Sequence, residues 1–156
     1  MKEELVVKKL IENNETISSM ESCTAGYFAT TLTNVEGSSS VLKYSAITYS
    51  NEFKVKMGVP QEVIDKYTVY SMETSVSMAE EISKYSSSTY GVGITGQIGR
   101  LDPANNTGNL NEIFVTVYNT KTNEYHSFEI HTHSKDRLEC KKEIVDKILD
   151  ELLTIL

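Results

Sequence analysis

Hydroxyl, amine and carboxylate side chains gather at a few short stretches of this chain, each close to glycine or another small residue. The first is Glu21-Ser22-Cys23-Thr24-Ala25-Gly26. Small residues at a helix start let backbone N–H groups face a ligand. A helix cap with close helix–sheet packing accounts for the same residues. The second is Gly37-Ser38-Ser39-Ser40, followed by Val41 and Leu42. A free serine hydroxyl is a poor nucleophile until a base activates it, and a cap within a solvated loop is the alternative role for this run. The third, Tyr49-Ser50-Asn51-Glu52-Phe53-Lys54, supplies such a base. On the first turn of a short helix, Lys54 could point back towards the strand ends. Its amine takes a proton near neutral pH only if burial or a neighbouring cation lowers its pKa by several units. The ordinary fate of a helix lysine is exposure. Tyr49 could relay a proton or donate to a developing oxyanion.

A fourth stretch, Gly93-Ile94-Thr95-Gly96-Gln97-Ile98-Gly99-Arg100, has spaced glycines but matches neither the phosphate-loop nor the dinucleotide fingerprint. Without a Gly-Lys-Ser/Thr it does not indicate an NTPase. Among His126, His131 and His133, the pair His131-x-His133 shares one face of a strand. Glu129 and Asp136 are the available third ligands, and no metal site is expected. Arg137, just past Ser134, is a candidate anion clamp, or else a surface arginine paired with a carboxylate.

Elements that alternate between helix and strand must position these groups. Leu5, Val6, Leu10 and Ile11 predict a helix over 2–13, followed by a strand over 16–20. A second helix starts near Thr24, with Ala25, Phe28, Ala29 and Leu32 on one stripe. Residues 43–50 read as a strand. Asn51 caps a short helix that Gly58 stops, and Pro60 opens another. Ser71 caps a helix with Val76, Ala79 and Ile82 inward, and 89–95 is a buried strand running into Gly96. Residues 112–119 and 124–132 form a hairpin over Thr120-Lys121-Thr122-Asn123. Ser134 caps a last helix with Leu138, Val145, Ile148, Leu149 and Leu152 on the core side. The long polar stretch from Gly96 to Asn111 is of the kind that is often functional. The reading is an α/β, three-layer α/β/α domain with a mixed sheet, where ligands bind at strand ends.

The bulk properties set outer limits. At 156 residues and 17.5 kDa the chain suits a single domain, 1–156. With 39% hydrophobic and 24% charged residues it can bury a core. A net charge of −7 argues against general nucleic-acid binding. No apolar run is long enough to span a membrane, and the acidic N-terminus is unlike a signal peptide. Cys23 and Cys140 lie far apart, so the expectation is no disulfide framework, no Cys-rich metal site and a cytoplasmic location.

In this order, the four clusters resemble the CinA C-terminal domain family, whose known activity is deamidation of nicotinamide mononucleotide (NMN). The matching residues are Glu21-Ser22-Cys23-Thr24, Gly37-Ser38-Ser39, Thr48-Tyr49-Ser50-Asn51-Glu52 with Lys54, Met57-Gly58-Val59 and Ile94-Thr95-Gly96. Asp136-Arg137 stands where the family has Gly-Asp-Arg. The resemblance implies Ser39 as nucleophile, Lys54 as its general base and Tyr49 as an assisting residue. It implies a pocket built with Ser22, Thr24, Gly26, Thr95 and Gly96, and Arg137 on the nucleotide phosphate. It implies a small-molecule nucleotide substrate, no cofactor or metal, and a homo-oligomer.

Three segments depart from the family pattern. Thr24-Ala25-Gly26 replaces Thr-Gly-Gly, and Gly96-Gln97-Ile98-Gly99-Arg100 replaces Gly-Ile-Ala-Gly-Pro. Gly108-Asn109-Leu110-Asn111-Glu112-Ile113 stands at a Lys-Pro-Val-Gly-Thr-Val entry to the next strand. The catalytic positions are kept while the pocket wall differs. A non-catalytic relative binding another nucleotide or small anionic ligand is the alternative.

Overall fold

The computed structural model describes residues Met1–Leu156. The elements run α1 (Lys2–Glu12), β1 (Ile17–Glu21), α2 (Tyr27–Thr33), a 3₁₀ turn (Ser38–Ser40), β2 (Leu42–Ile47), α3 (Asn51–Lys56) and α4 (Gln61–Tyr67). They continue through α5 (Met72–Ser86), β3 (Tyr90–Gly96), β4 (Glu112–Asn119), β5 (Glu124–His131) and α6 (Arg137–Ile155). The five strands form one sheet in the order β2-β1-β3-β4-β5. β1 is parallel to both β2 and β3, while β4 and β5 add an antiparallel hairpin. The sheet is therefore mixed, as expected.

β3 shows how side-chain alternation builds the layers. Tyr90, Val92 and Ile94 enter the larger core with Val6 and Leu10 of α1, Phe28 and Leu32 of α2, and Ile144 and Ile148 of α6. The intervening Gly91 and Gly93 meet α5. A Cβ on Gly91 would lie 2.1 Å from the Ala79 carbonyl oxygen, and one on Gly93 would lie 2.2 Å from that of Ser75. Bare backbone on that face lets α5 lie directly on the strand. A smaller core of Met20, Ala46, Val59, Ile64, Val69, Met78 and Ile82 fills the α5 side.

Several boundaries and facings differ from the sequence expectations. In α1, Val7 is buried, whereas Leu5 and Ile11 are about half exposed. Leu138 is exposed, because α6 turns Cys140 and Ile144 inward instead. α2 starts at Tyr27 rather than Thr24, since Ala25 and Gly26 take positive φ in a turn. Ser50, not Asn51, caps α3 by accepting from the Phe53 N–H. Asp136, not Ser134, caps α6; Ser134 Oγ instead accepts from the Asp136 N–H. Ser71 caps α5 as expected. Cys23 and Cys140 are both free and buried. No helix is long and apolar enough to cross a membrane.

Candidate active site

The parallel strands β1, β2 and β3 end side by side at Glu21, Ile47 and Gly96. Carboxyl ends of parallel strands are where open α/β sheets bind ligands. Ser22, the first residue past β1, donates its N–H to Ile94 O at 3.0 Å, and Thr48 past β2 donates its N–H to Glu21 O at 2.9 Å. These two backbone bonds fix the floor of the site.

α3 begins three residues beyond Thr48, and its Ser50 cap starts the turn that carries Lys54 inward. Lys54 is only 2% exposed. Its Nζ donates to Thr48 O at 2.7 Å and to Ser22 Oγ at 3.0 Å. Burial lowers its pKa from 10.5 to about 8, against smaller opposing effects of Cys23 and Asp102. Desolvation penalises the ammonium, so the amine is poised to give up its proton near neutral pH. Burial also pushes the neighbouring Cys23 thiol up to about 12, so that sulfur stays protonated and is no competing nucleophile.

Glu21 holds the turn that presents Ser22. Its fully buried carboxylate accepts from Thr24 Oγ1, the Gly26 N–H and the Phe28 N–H at Oε1, and from Ser19 Oγ and the Ala29 N–H at Oε2. The start of α2 is thus occupied by the protein's own anion, in the orientation the helix dipole favours. The N–H groups of Gly26, Phe28 and Ala29 serve the capping role that the sequence offered as the alternative to facing a ligand. The N–H groups of Cys23 and Thr24, just after Ser22, make no hydrogen bond within the protein.

Above this floor lies a cavity of about 740 Å³, walled by Ser22, Cys23, Tyr49, Gly96, Arg137 and the 97–105 segment. The segment is tied down. Gln97 Oε1 accepts from the Asp102 N–H at 2.7 Å, and Gln97 Nε2 donates to Thr107 O at 2.9 Å. Tyr70 OH donates to Asp102 Oδ2 at 2.5 Å, and Asn105 Nδ2 donates to the same oxygen at 2.9 Å. These two bonds, Tyr70's first, hold the Asp102 carboxyl below its ordinary pKa. Asn51 Nδ2 donates to Asn105 Oδ1 at 2.8 Å, which ties the segment to the helix carrying Lys54.

Of the residues expected at the site, Ser22, Lys54, Tyr49, Gly96 and Arg137 come together. Tyr49 stands at the rim, 61% exposed, and its hydroxyl accepts from Arg137 Nη2 at 3.3 Å rather than meeting Lys54 or Ser22. Thr24 donates to Glu21, Thr95 donates to Val69 O at 2.8 Å, and Gly26 gives its N–H to Glu21; all three serve the scaffold behind the wall.

Ser39 is not brought to Lys54. It is exposed on the 3₁₀ turn and absent from the cavity wall. The serine run precedes β2 and Lys54 follows it, so the length of the six-residue strand, roughly 20 Å at 3.3 Å per residue, lies between them. The lysine's hydroxyl partner is Ser22.

Gln97 belongs to the segment that departs from the family pattern; Asp102 and Asn105 were signalled only by the unusual length of the Gly96–Asn111 stretch, and Tyr70, outside it, by nothing in the sequence. Away from the cavity, Glu129 and His131 are joined by Glu112 across the β4–β5 pair, rather than by His133 or Asp136.

The sequence profile of the CinA C-terminal domain matches residues 1–156. A putative competence-damage inducible protein of Clostridium botulinum (strain Langeland / NCTC 10281 / Type F) is 44% identical over 98 residues, which are 62% of this chain and 24% of that protein. One of Alkaliphilus oremlandii is 46% identical over the same share of each. The match thus spans about a quarter of the length of these curated relatives. Among solved structures, a CinA superfamily protein from Escherichia coli aligns with TM-score 0.90 at 19% identity, covering 99% of this chain and 88% of the other. The competence/damage inducible protein CihA from Agrobacterium tumefaciens aligns with TM-score 0.85 at 23% identity, covering 99% and 95%. At these identities the structural matches speak for the fold, and the profile match for the family. The chain belongs to the CinA C-terminal domain family.

Proposed function

We propose that this domain is an amidohydrolase that deamidates NMN to nicotinate mononucleotide and ammonia, with Ser22 as nucleophile and Lys54 as base. The observation that carries this reading is the 3.0 Å contact between Lys54 Nζ and Ser22 Oγ, in a buried setting that opens on the cavity. Serine becomes a nucleophile when an adjacent base removes its proton, and a desolvated lysine is such a base.

With the amine neutral, the contact reverses and Ser22 O–H donates to Lys54 Nζ. The serine oxygen attacks the carboxamide carbon as its proton passes to Lys54. The negative charge that develops on the carboxamide oxygen needs preorganised donors, and the unbonded N–H groups of Cys23 and Thr24 are the nearest along the chain. The Lys54 ammonium then protonates the leaving nitrogen, the C–N bond breaks and ammonia departs. Lys54 next deprotonates a water, which attacks the acyl-serine carbonyl. The nicotinate nucleotide leaves and Ser22 regains its proton. The choice of NMN rests on the family resemblance and is supported by Arg137 on the cavity wall.

The test is to incubate the protein with NMN and follow ammonia and nicotinate mononucleotide. Equimolar release of both supports the reading. NMN that raises the melting temperature without being hydrolysed would favour a non-catalytic binding protein.

A further inference from the structure

Arg100 and Arg137 are the only two arginines in this acidic chain, and both line the same cavity, together with Lys135. No carboxylate pairs with any of the three; every ion pair in the structure involves other cations. The one acid on the cavity wall, Asp102, is already engaged by Tyr70, Asn105 and the Ala104 N–H. The cavity wall therefore carries three cations against one carboxylate, a net positive surface in a protein of net charge −7.

The Arg137 side chain lies against the backbone that leads into Arg100. Arg137 donates from Nη1 to Ile98 O and from Nη2 to Tyr49 OH. Gly99 lies between Ile98 and Arg100 with φ +80°, and a Cβ there would sit 3.1 Å from Arg137 Cγ. The glycine lets the Arg137 side chain lie across the backbone one residue before Arg100. That backbone is fixed by the Gln97 contacts and by the Gly99 N–H, which donates to Asn111 Oδ1 at 3.2 Å.

We propose that Arg100 joins Arg137 and Lys135 in a clamp for a phosphate monoester dianion at the cavity wall, making Arg100 a specificity-determining residue that selects phosphorylated over unphosphorylated substrate. Guanidinium forks match phosphate oxygens in paired hydrogen bonds, and a phosphate monoester carries nearly two negative charges at neutral pH. The clamp deepens the deamidase reading by naming what recognises the substrate's phosphate, yet its binding test does not need turnover.

Binding of ribose 5-phosphate, inorganic phosphate and ribose is measured by calorimetry on the wild-type protein and on R100A and R100K. Ribose 5-phosphate binds the wild type and ribose does not. R100A weakens that binding about 10- to 100-fold, and R100K recovers only part, because an ammonium cannot form the paired contact. Tighter binding of ribose 5-phosphate than of inorganic phosphate marks the clamp as a nucleotide subsite rather than a free-phosphate site. In turnover, the kcat/KM preference for NMN over nicotinamide riboside falls at least about tenfold in R100A, through KM more than kcat. Unaltered ribose 5-phosphate binding in R100A overturns the clamp, even if NMN is hydrolysed. Arg100-dependent binding without any ammonia release upholds the clamp and defeats the deamidase reading alone.

Discussion

Asn105 on the cavity wall and Asn51 at the start of α3 are joined by a side-chain hydrogen bond of 2.8 Å. Three residues further along α3 stands Lys54, the buried amine of the site. The segment covering the cavity and the helix carrying the base are therefore one connected unit, reinforced by the Tyr70–Asp102 bond.

The pH dependence of turnover follows from the burial of Lys54. Catalysis needs the neutral amine, and burial lowers its pKa to about 8. The account predicts that kcat/KM for NMN rises with pH through about 8 and then levels off. Folding stability moves the same way. Lys54 titrates near 10.5 when unfolded and about 8 when folded, so between those values the unfolded chain binds the extra proton. Its contribution to stability therefore increases from about pH 8 to 10.5. Rate profiles and urea titrations across that range, on wild type and K54M, check both statements; a wild-type kcat/KM that does not change between pH 6 and 9 would contradict the first.

Glu21 is predicted to be a structural keystone of the site. Its carboxylate satisfies a buried threonine hydroxyl and three N–H groups around the start of α2, besides Ser19. E21A strands those donors at about 1–3 kcal/mol each where water cannot replace the lost partner. The expected loss is at least about 3 kcal/mol by urea denaturation, with a smaller loss in E21Q, which keeps one acceptor oxygen. An E21A protein as stable as the wild type would remove Glu21 from this role.

Gly93 should tolerate no side chain. A Cβ would meet the Ser75 carbonyl oxygen at 2.2 Å and the Ala79 nitrogen at 2.7 Å, both of them backbone atoms that cannot rotate away. G93A is expected to cost about 1–3 kcal/mol as α5 is pushed off the sheet. A melting temperature unchanged from wild type would show that α5 does not rest on β3 this closely.

The fold was legible because its signals are local. Alternation in β3, the glycine entry to the 97–111 segment and the Ser71 cap each lie within a few residues. Lys54 could be read as a candidate base because a lysine one turn past a strand end can fold back over that end. Which serine it meets could not be read from hydroxyl composition. Ser22 and Ser39 both follow or precede small residues, but only Ser22 lies at the end of a strand beside the end of β2. Thr24 and Thr95 also stand at strand ends, and their hydroxyls turn inward to Glu21 and Val69. The Tyr70–Asp102 bond joins residues 32 positions apart, with nothing local to announce it.

The most direct test of the account is the pair of variants S22A and S39A, assayed for ammonia release from NMN at pH 8, with folding verified by circular dichroism. S22A is predicted to lose activity by about 10³-fold or more, and S39A to keep activity close to wild type. Full activity in S22A together with loss in S39A would contradict the assignment of the nucleophile and the pairing with Lys54 on which the mechanism rests.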